Sequence, residues 1–252
     1  MNIIDLHCDT LSAILSRNHS LWENNCHLDV KRARAAGVRL QFFALYSGMR
    51  EYSPALRDCL VQAQSLLQTL EQFPQDMILV KSGEDLEELT KNDTRMGCLL
   101  HLEGGEALGM DVEILHLFHH LGLRSLGLTW NYRNQLANGV SEEDDRGGLS
   151  QKGKEVVREM DGLGIALDLA HIAPASFYDA LDYYTRPPLV THANAQALCP
   201  HRRNLDDSQL KALAERDGLI GVTYVNDFVA QTAPNVDQLI DHMVHISSLV
   251  GI

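Results

Sequence analysis

Five side chains spread along the chain have the chemistry of metal ligands, and each stands at the end of an apolar run. The run Ile3-Ile4-Asp5-Leu6 leads into His7-Cys8-Asp9. Others end in Leu102-Glu103, in Asp168-Leu169-Ala170-His171 and in Val190-Thr191-His192. Imidazole and carboxylate together suit zinc and similar first-row ions. Two ions held about 3.5 to 4 Å apart need a ligand that bridges them, and Glu103 is the natural bridge. His7 and Asp9 would then bind one ion and His171 and His192 the other. Water held between two such cations loses a proton near neutral pH and becomes a nucleophile.

Each residue alone has an ordinary explanation. A strand-end histidine is more often a hydrogen-bonded core residue than a ligand. Asp9 could cap a following helix, and Glu103 ahead of Gly104-Gly105 could belong to a turn. All five at strand ends are hard to explain that way.

The elements that must position them alternate along the chain. Apolar runs that read as strands are Ile3 to Leu6, Leu40 to Leu45, Gly97 to Leu102, Ser125 to Thr129, Ile165 to Leu169, Leu189 to Thr191 and Leu219 to Tyr224. They are too uniformly apolar for a one-sided sheet, which points to a parallel sheet covered on both faces. Helical patterns fall at Pro54 to Phe73, Val112 to Leu121, Gly153 to Leu163, Ala175 to Tyr183 and Asp207 to Arg216, with cap chemistry at Ser150 and at Asp206 or Asp207. Alternating β and α gives either a doubly wound sheet or a β/α barrel. The first strand is not followed by GxGxxG, which disfavours the dinucleotide-binding sheet. The reading is a (β/α)8 TIM-type barrel in one domain, 1–252, with seven strands counted and the eighth missing. In such a barrel the strand ends carry the chemistry, and two residues of spacing on a strand put His7 and Asp9 on one face.

Bulk composition excludes several classes of function. A formal charge of -13 and a pI near 5.3 oppose nucleic-acid binding and anionic membrane surfaces, both of which need a basic face. The chain shows no run of the roughly 18 apolar residues needed to span a bilayer and no basic-then-apolar leader, so a cytoplasmic protein is expected. Five cysteines, odd in number and without a CxxC pair, read as reduced thiols. His116 with His120, and His242 with His245, have helical spacing but no accompanying general base, and read as surface or packing residues. No partner is evident for His101 or His201.

At this level of detail the chain resembles the renal, or membrane, dipeptidase family of zinc metallopeptidases within the amidohydrolase superfamily. The resemblance rests on DLHCDT (Asp5 to Thr10), HLEGGEAL (His101 to Leu108), LGLTWNYRN (Leu126 to Asn134), GLSQKGKEVVREMDGLGIALDLAH (Gly148 to His171) and THANAQALCPHRRNLDDSQLKALAERDGLIGV (Thr191 to Val222). It implies a β/α barrel with two zinc ions, His7, Asp9 and Glu103 at one and Glu103, His171 and His192 at the other. It also implies hydrolysis of dipeptides, including those with a C-terminal D-residue, by a hydroxide bridging the two ions. Arg203 falls where the family binds the substrate carboxylate, and a guanidinium fork matches a carboxylate bidentately. Without the resemblance, a surface salt bridge in Arg202-Arg203 is the ordinary explanation.

The sequence departs from the family pattern in two places. Trp130 stands where animal members have a substrate-contacting histidine, leaving Asn131 or Asn134 as a replacement donor. The chain stops at Ile252, before the family's eighth strand and its proton-shuttling aspartate, so the natural protein is expected to continue. Two other readings stay open: a binuclear amidohydrolase acting on N-acyl amino acids, and a noncatalytic metal-binding member of the family. A homodimer is left open as well.

Overall fold

The computed structural model describes residues 2–48, 52–91, 94–143 and 147–251. Its strands are β1 (Ile3–Asp5), β2 (Val38–Tyr46), β3 (Met77–Leu79), β4 (Met96–Glu103), β5 (Leu123–Gly127), β6 (Ala166–Asp168), β7 (Leu189–Val190) and β8 (Leu219–Ile220). Its helices are α1 (Thr10–Arg17), α2 (Val30–Ala36), α3 (Tyr52–Gln72), α4 (Gly83–Lys91), α5 (Glu113–Leu121), α6 (Gln151–Leu163), α7 (Pro174–Tyr183), α8 (Asp207–Ala214), α9 (Asn226–Val229) and α10 (Val236–Val250).

The seven expected strands lie in order on one parallel sheet path, β1-β2-β4-β5-β6-β7-β8, and β3 pairs with β4 beside it. This is the α/β class expected from the doubly buried apolar runs. The longest ladder joins β2 to β4 from Leu40↔Gly97 through Tyr46↔Glu103. Every residue of β4 is buried, as a strand covered on both faces requires. At Gly97 a Cβ would come within 2.4 Å of the Leu89 side chain of α4, so the strand and that helix approach closely there.

The five expected helices appear with ends shifted by at most two residues, and α6 and α8 start where cap chemistry placed them. Ser150 Oγ accepts from Gly153 N at 3.0 Å, and Asp206 with Gln209 forms a capping box. Beyond the strands and helical patterns read from the sequence, the structure has β3 and helices α2, α4, α9 and α10, and α1 is the helix that follows Asp9. β3 is three residues long, and α4 buries only Leu89, so neither leaves much periodicity to detect. β8 is shorter than the apolar run to Tyr224, although Gly221 still donates to Val190 O and accepts from Ala193 N.

Contacts group the chain into two compact units, 1–126 with 163–165, and 127–162 with 166–252. In the first, Phe43, Leu45, Leu66, Leu100 and Leu102 are fully or almost fully buried. In the second, Leu128, Val157, Leu167, Phe177 and Tyr184 form the core. Among the described residues, no helix is long and apolar enough to cross a membrane.

Candidate metal centre

In the first unit the ladder between β1 and β2 continues past Asp5, with Cys8 N donating to Phe42 O and Ala44 N to Cys8 O. His7 and Asp9 lie on this irregular extension rather than on a regular strand, which corrects the expectation of a strand through Leu6. His7 is anchored by its backbone N–H on Asp5 Oδ1 at 3.0 Å. Asp9 immediately precedes α1, but its side chain makes no capping bond to the helix. Its carboxylate instead faces His7, with Nε2 to Oδ1 at 3.5 Å. Cys8 between them has its thiol pushed up to about 12 by burial.

Glu103 ends β4, and the next residue, Gly104, takes the left-handed backbone (φ 92°) that turns the chain into the short 3-10 helix Gly105–Leu108. The Glu103 carboxylate is buried, and its Oε1 lies 3.6 Å from His7 Nε2. Burial alone would raise the Asp9 pKa. The hydrogen bonds and charge interactions with His7, Glu103 and His101 outweigh it and hold the carboxyl below its usual range. His101 is fully buried, with Nδ1 on Ser125 Oγ at 3.0 Å and its ring edge-on to His7, so it does have partners.

Tyr46, in register with Glu103 at the end of β2, was missed from sequence. Burial first, then the charges of Glu103, Asp9 and Glu106, push its phenol up to about 12, which keeps it a proton donor. The signal for it in the sequence is the polar end of Leu40-Gln41-Phe42-Phe43-Ala44-Leu45-Tyr46.

In the second unit, His171 follows β6 with a left-handed backbone (φ 67°), a conformation that is strained for a residue with a Cβ by roughly 1–3 kcal/mol. The surrounding loop holds it there. Val140 N donates to His171 O at 2.8 Å, and Gly139 bridges to Ile172. The His171 ring donates from Nδ1 to Asn131 Oδ1 at 2.8 Å. Asn131 therefore orients a candidate ligand, a role beyond the substrate contact expected for it. The Trp130 ring lies 6.0 Å from the His171 ring, centroid to centroid.

His192 follows β7. Its Nδ1 is 2.9 Å from Thr191 Oγ1, and that hydroxyl donates to Asp168 Oδ2 at 2.7 Å. A hydroxyl has one proton to give, so Thr191 accepts from His192 Nδ1–H. Both rings thus turn Nε2 toward each other, and the two Nε2 atoms stand 2.8 Å apart. Converging lone pairs repel unless a proton or a cation lies with them.

These donor sets fit a metal ion. A tetrahedral ion with bonds of ~2.0–2.2 Å spaces its ligand atoms about 3.3–3.6 Å apart, which the separations of His7 Nε2 from the Asp9 and Glu103 carboxylates match. The two histidines of the second unit need to open by roughly half an ångström to meet the same spacing. Fixed Nδ1–H tautomers are what metal-ligating histidines show.

Arg203 is 5% exposed and so is not the surface residue weighed for it; Arg202 is the exposed member and donates to Ser141 O. The Arg203 guanidinium lies 5.5 Å over the Phe228 ring, with Nη2 3.5 Å from His192 O. Its loop is tied down by buried amides. Asn194 exchanges two bonds with the Thr223 backbone, and Asn204 Nδ2 donates to Cys199 O and Phe228 O. His201 Nδ1 accepts from Arg203 N at 3.2 Å. His242 is buried between Ala195 N and Val229 O, a packing residue, while His120 Nδ1 bonds back to His116 O within α5.

A family model described as membrane dipeptidase (peptidase family M19) matches residues 1–252. A solved metallopeptidase described as dipeptidase AC superposes with a TM-score of 0.93 at 27% identity, covering 100% of this chain and 82% of its own. A Rhodobacter sphaeroides metallopeptidase, solved with a phosphinate mimic of the dipeptide L-Ala-D-Ala, superposes with a TM-score of 0.91 at 26% identity, covering 100% and 83%. The dipeptidase tcpJ of Claviceps purpurea is 28% identical over 238 residues, 89% of this chain and 56% of its own length. An uncharacterised protein of Acinetobacter calcoaceticus is 28% identical over 254 residues, 89% of this chain and 80% of its own. The chain thus spans just over half the length of the fungal relative.

Proposed function

Because the chain belongs to the membrane dipeptidase family, we propose that it is a metal-dependent dipeptidase that uses two zinc ions to hydrolyse the peptide bond of dipeptides, including those with a C-terminal D-residue. The observation that carries this reading is the pair of histidines, His171 and His192, whose outer nitrogens are tied down as donors while their Nε2 lone pairs converge. The dipeptide mimic bound by the Rhodobacter relative supports the substrate class. The family match over 1–252 supports reading the chain as one hydrolase domain.

His7, Asp9, Glu103, His171 and His192 are the residues that would hold the ions, with Glu103 shared. When bound, such ions supply acidified water and polarise a peptide carbonyl. The remaining work falls to the chain. Arg203 receives the free carboxylate of the dipeptide in its guanidinium fork and sets the register of the scissile bond. A requirement for that carboxylate one residue beyond the bond is what separates a dipeptidase from an endopeptidase. Asn131 fixes His171 through Oδ1 and offers its Nδ2 to the substrate. The Tyr46 phenol, kept protonated, offers a hydrogen bond at the Glu103 end.

The test is metal analysis of the purified protein together with rates on L,L-dipeptides, L,D-dipeptides and N-acetyl amino acids. Two metal equivalents and turnover of dipeptides are expected. Preference for N-acetyl amino acids would move the substrate class, and bound metal without turnover would overturn the enzyme reading.

A further inference from the structure

We propose that Asp168 and Thr191 form a carboxylate–hydroxyl relay that sets the ring tautomer of His192 and through it the metal affinity of that ligand. The proposal rests on reading His192 as a ligand. Both relay residues are almost completely buried, Asp168 at 1% and Thr191 at 2% exposure. Asp168 Oδ1 accepts from two backbone donors, Ala170 N at 3.0 Å and Thr191 N at 2.9 Å. Those bonds orient the carboxylate and leave Oδ2 to the Thr191 hydroxyl at 2.7 Å.

An ionised carboxylate only accepts, so the hydroxyl proton must point to Asp168. The Thr191 oxygen is then an acceptor, and the group it faces at 2.9 Å is His192 Nδ1. The ring proton is held on Nδ1, and Nε2 is left with its lone pair. With a neutral His192 ring and a charged carboxylate, no other arrangement of protons satisfies all three groups. Asp168 and Thr191 are thus positioning residues acting through His192.

The experiment separates the relay from simple packing. Thr191→Val keeps shape and backbone and removes the hydroxyl; Thr191→Ser restores it. Asp168→Asn places an N–H donor against Thr191, turns the hydroxyl toward His192 Nδ1 and moves the ring proton to Nε2. Nitrogen-15 NMR of the metal-free chain reads the His192 tautomer directly, and zinc and cobalt titrations read affinity. Thr191→Val is expected to weaken the second metal equivalent by about 10- to 100-fold, as loss of such outer hydrogen bonds does. Thr191→Ser is expected to recover it, and Asp168→Asn to invert the tautomer.

If Asp168→Asn fails to fold, the Thr191 pair decides alone. Unchanged tautomer and affinity in Thr191→Val would overturn the relay. A tautomer that responds as described in a protein that binds no metal would uphold the relay and overturn the metalloenzyme reading instead.

Discussion

His171 and His192 face each other through Nε2 atoms 2.8 Å apart, each with its Nδ1 committed as a donor, to Asn131 and to Thr191. Two imidazole lone pairs brought together in this way are destabilising until a proton or a metal cation joins them. Metal therefore stabilises the folded state in proportion to its binding. At a free metal concentration of 100 Kd the gain is about 2.7 kcal/mol per site. A strong chelator is expected to lower Tm and added zinc to restore it; a melting curve indifferent to both would remove the metal assignment.

Glu103→Ala is expected to deplete bound metal and to reduce dipeptide turnover by on the order of 10³-fold, the range for losing a group on which transition-state charge depends. Its carboxylate is buried and lies 3.6 Å from His7 Nε2. Metal content by emission spectroscopy and single-substrate kinetics check this. Retention of two metals with full activity would exclude Glu103 as the shared ligand.

Arg203→Lys keeps the charge and loses the fork. A charge-assisted bond is worth about 1.5–3 kcal/mol. KM for dipeptides should accordingly rise by about 10- to 100-fold, with a smaller change in kcat. Because Arg203 also packs over Phe228, a thermal melt of the variant separates binding loss from unfolding. An unchanged KM would assign the guanidinium to structure alone.

Asp29 caps α2, accepting from Arg32 N at 2.7 Å and from Arg32 Nε at 2.6 Å. Burial by itself would raise its pKa, but these bonds dominate and hold the carboxyl below the usual aspartate range. A folded pKa below the unfolded one gives stability that is present above about pH 4 and is lost as pH falls through the folded value. Asp29→Ala is expected to cost about 1–2 kcal/mol at pH 7. In urea titrations the gap from the parent protein should shrink below pH 4, and a gap constant with pH would mean that the charge contributes nothing.

The ligand candidates and the class of fold were legible in the amino-acid sequence, because both follow from local rules. Uniformly apolar runs need cover on both faces, which selects a parallel α/β sheet, and polar residues placed after such runs come to the strand ends. His7, Asp9, Glu103, His171 and His192 could therefore be named from their positions alone. Local pattern was silent on β3 and α4, where too few apolar residues are buried to leave a period.

Tertiary structure decided what those residues can do. Arg203 reads as half of an exposed pair until a loop closed by Asn194 and Asn204 buries it. His7 and Asp9 share a side through an irregular extension of β1, which strand alternation does not describe. The tautomer of His192 depends on Asp168, twenty-three residues away from the Thr191 hydroxyl it bonds, and that of His171 on Asn131, forty away. Sequence can say which atoms are available as ligands. Which nitrogen keeps its lone pair is a property of hydrogen bonds between distant residues, and such bonds exist only once the chain has folded.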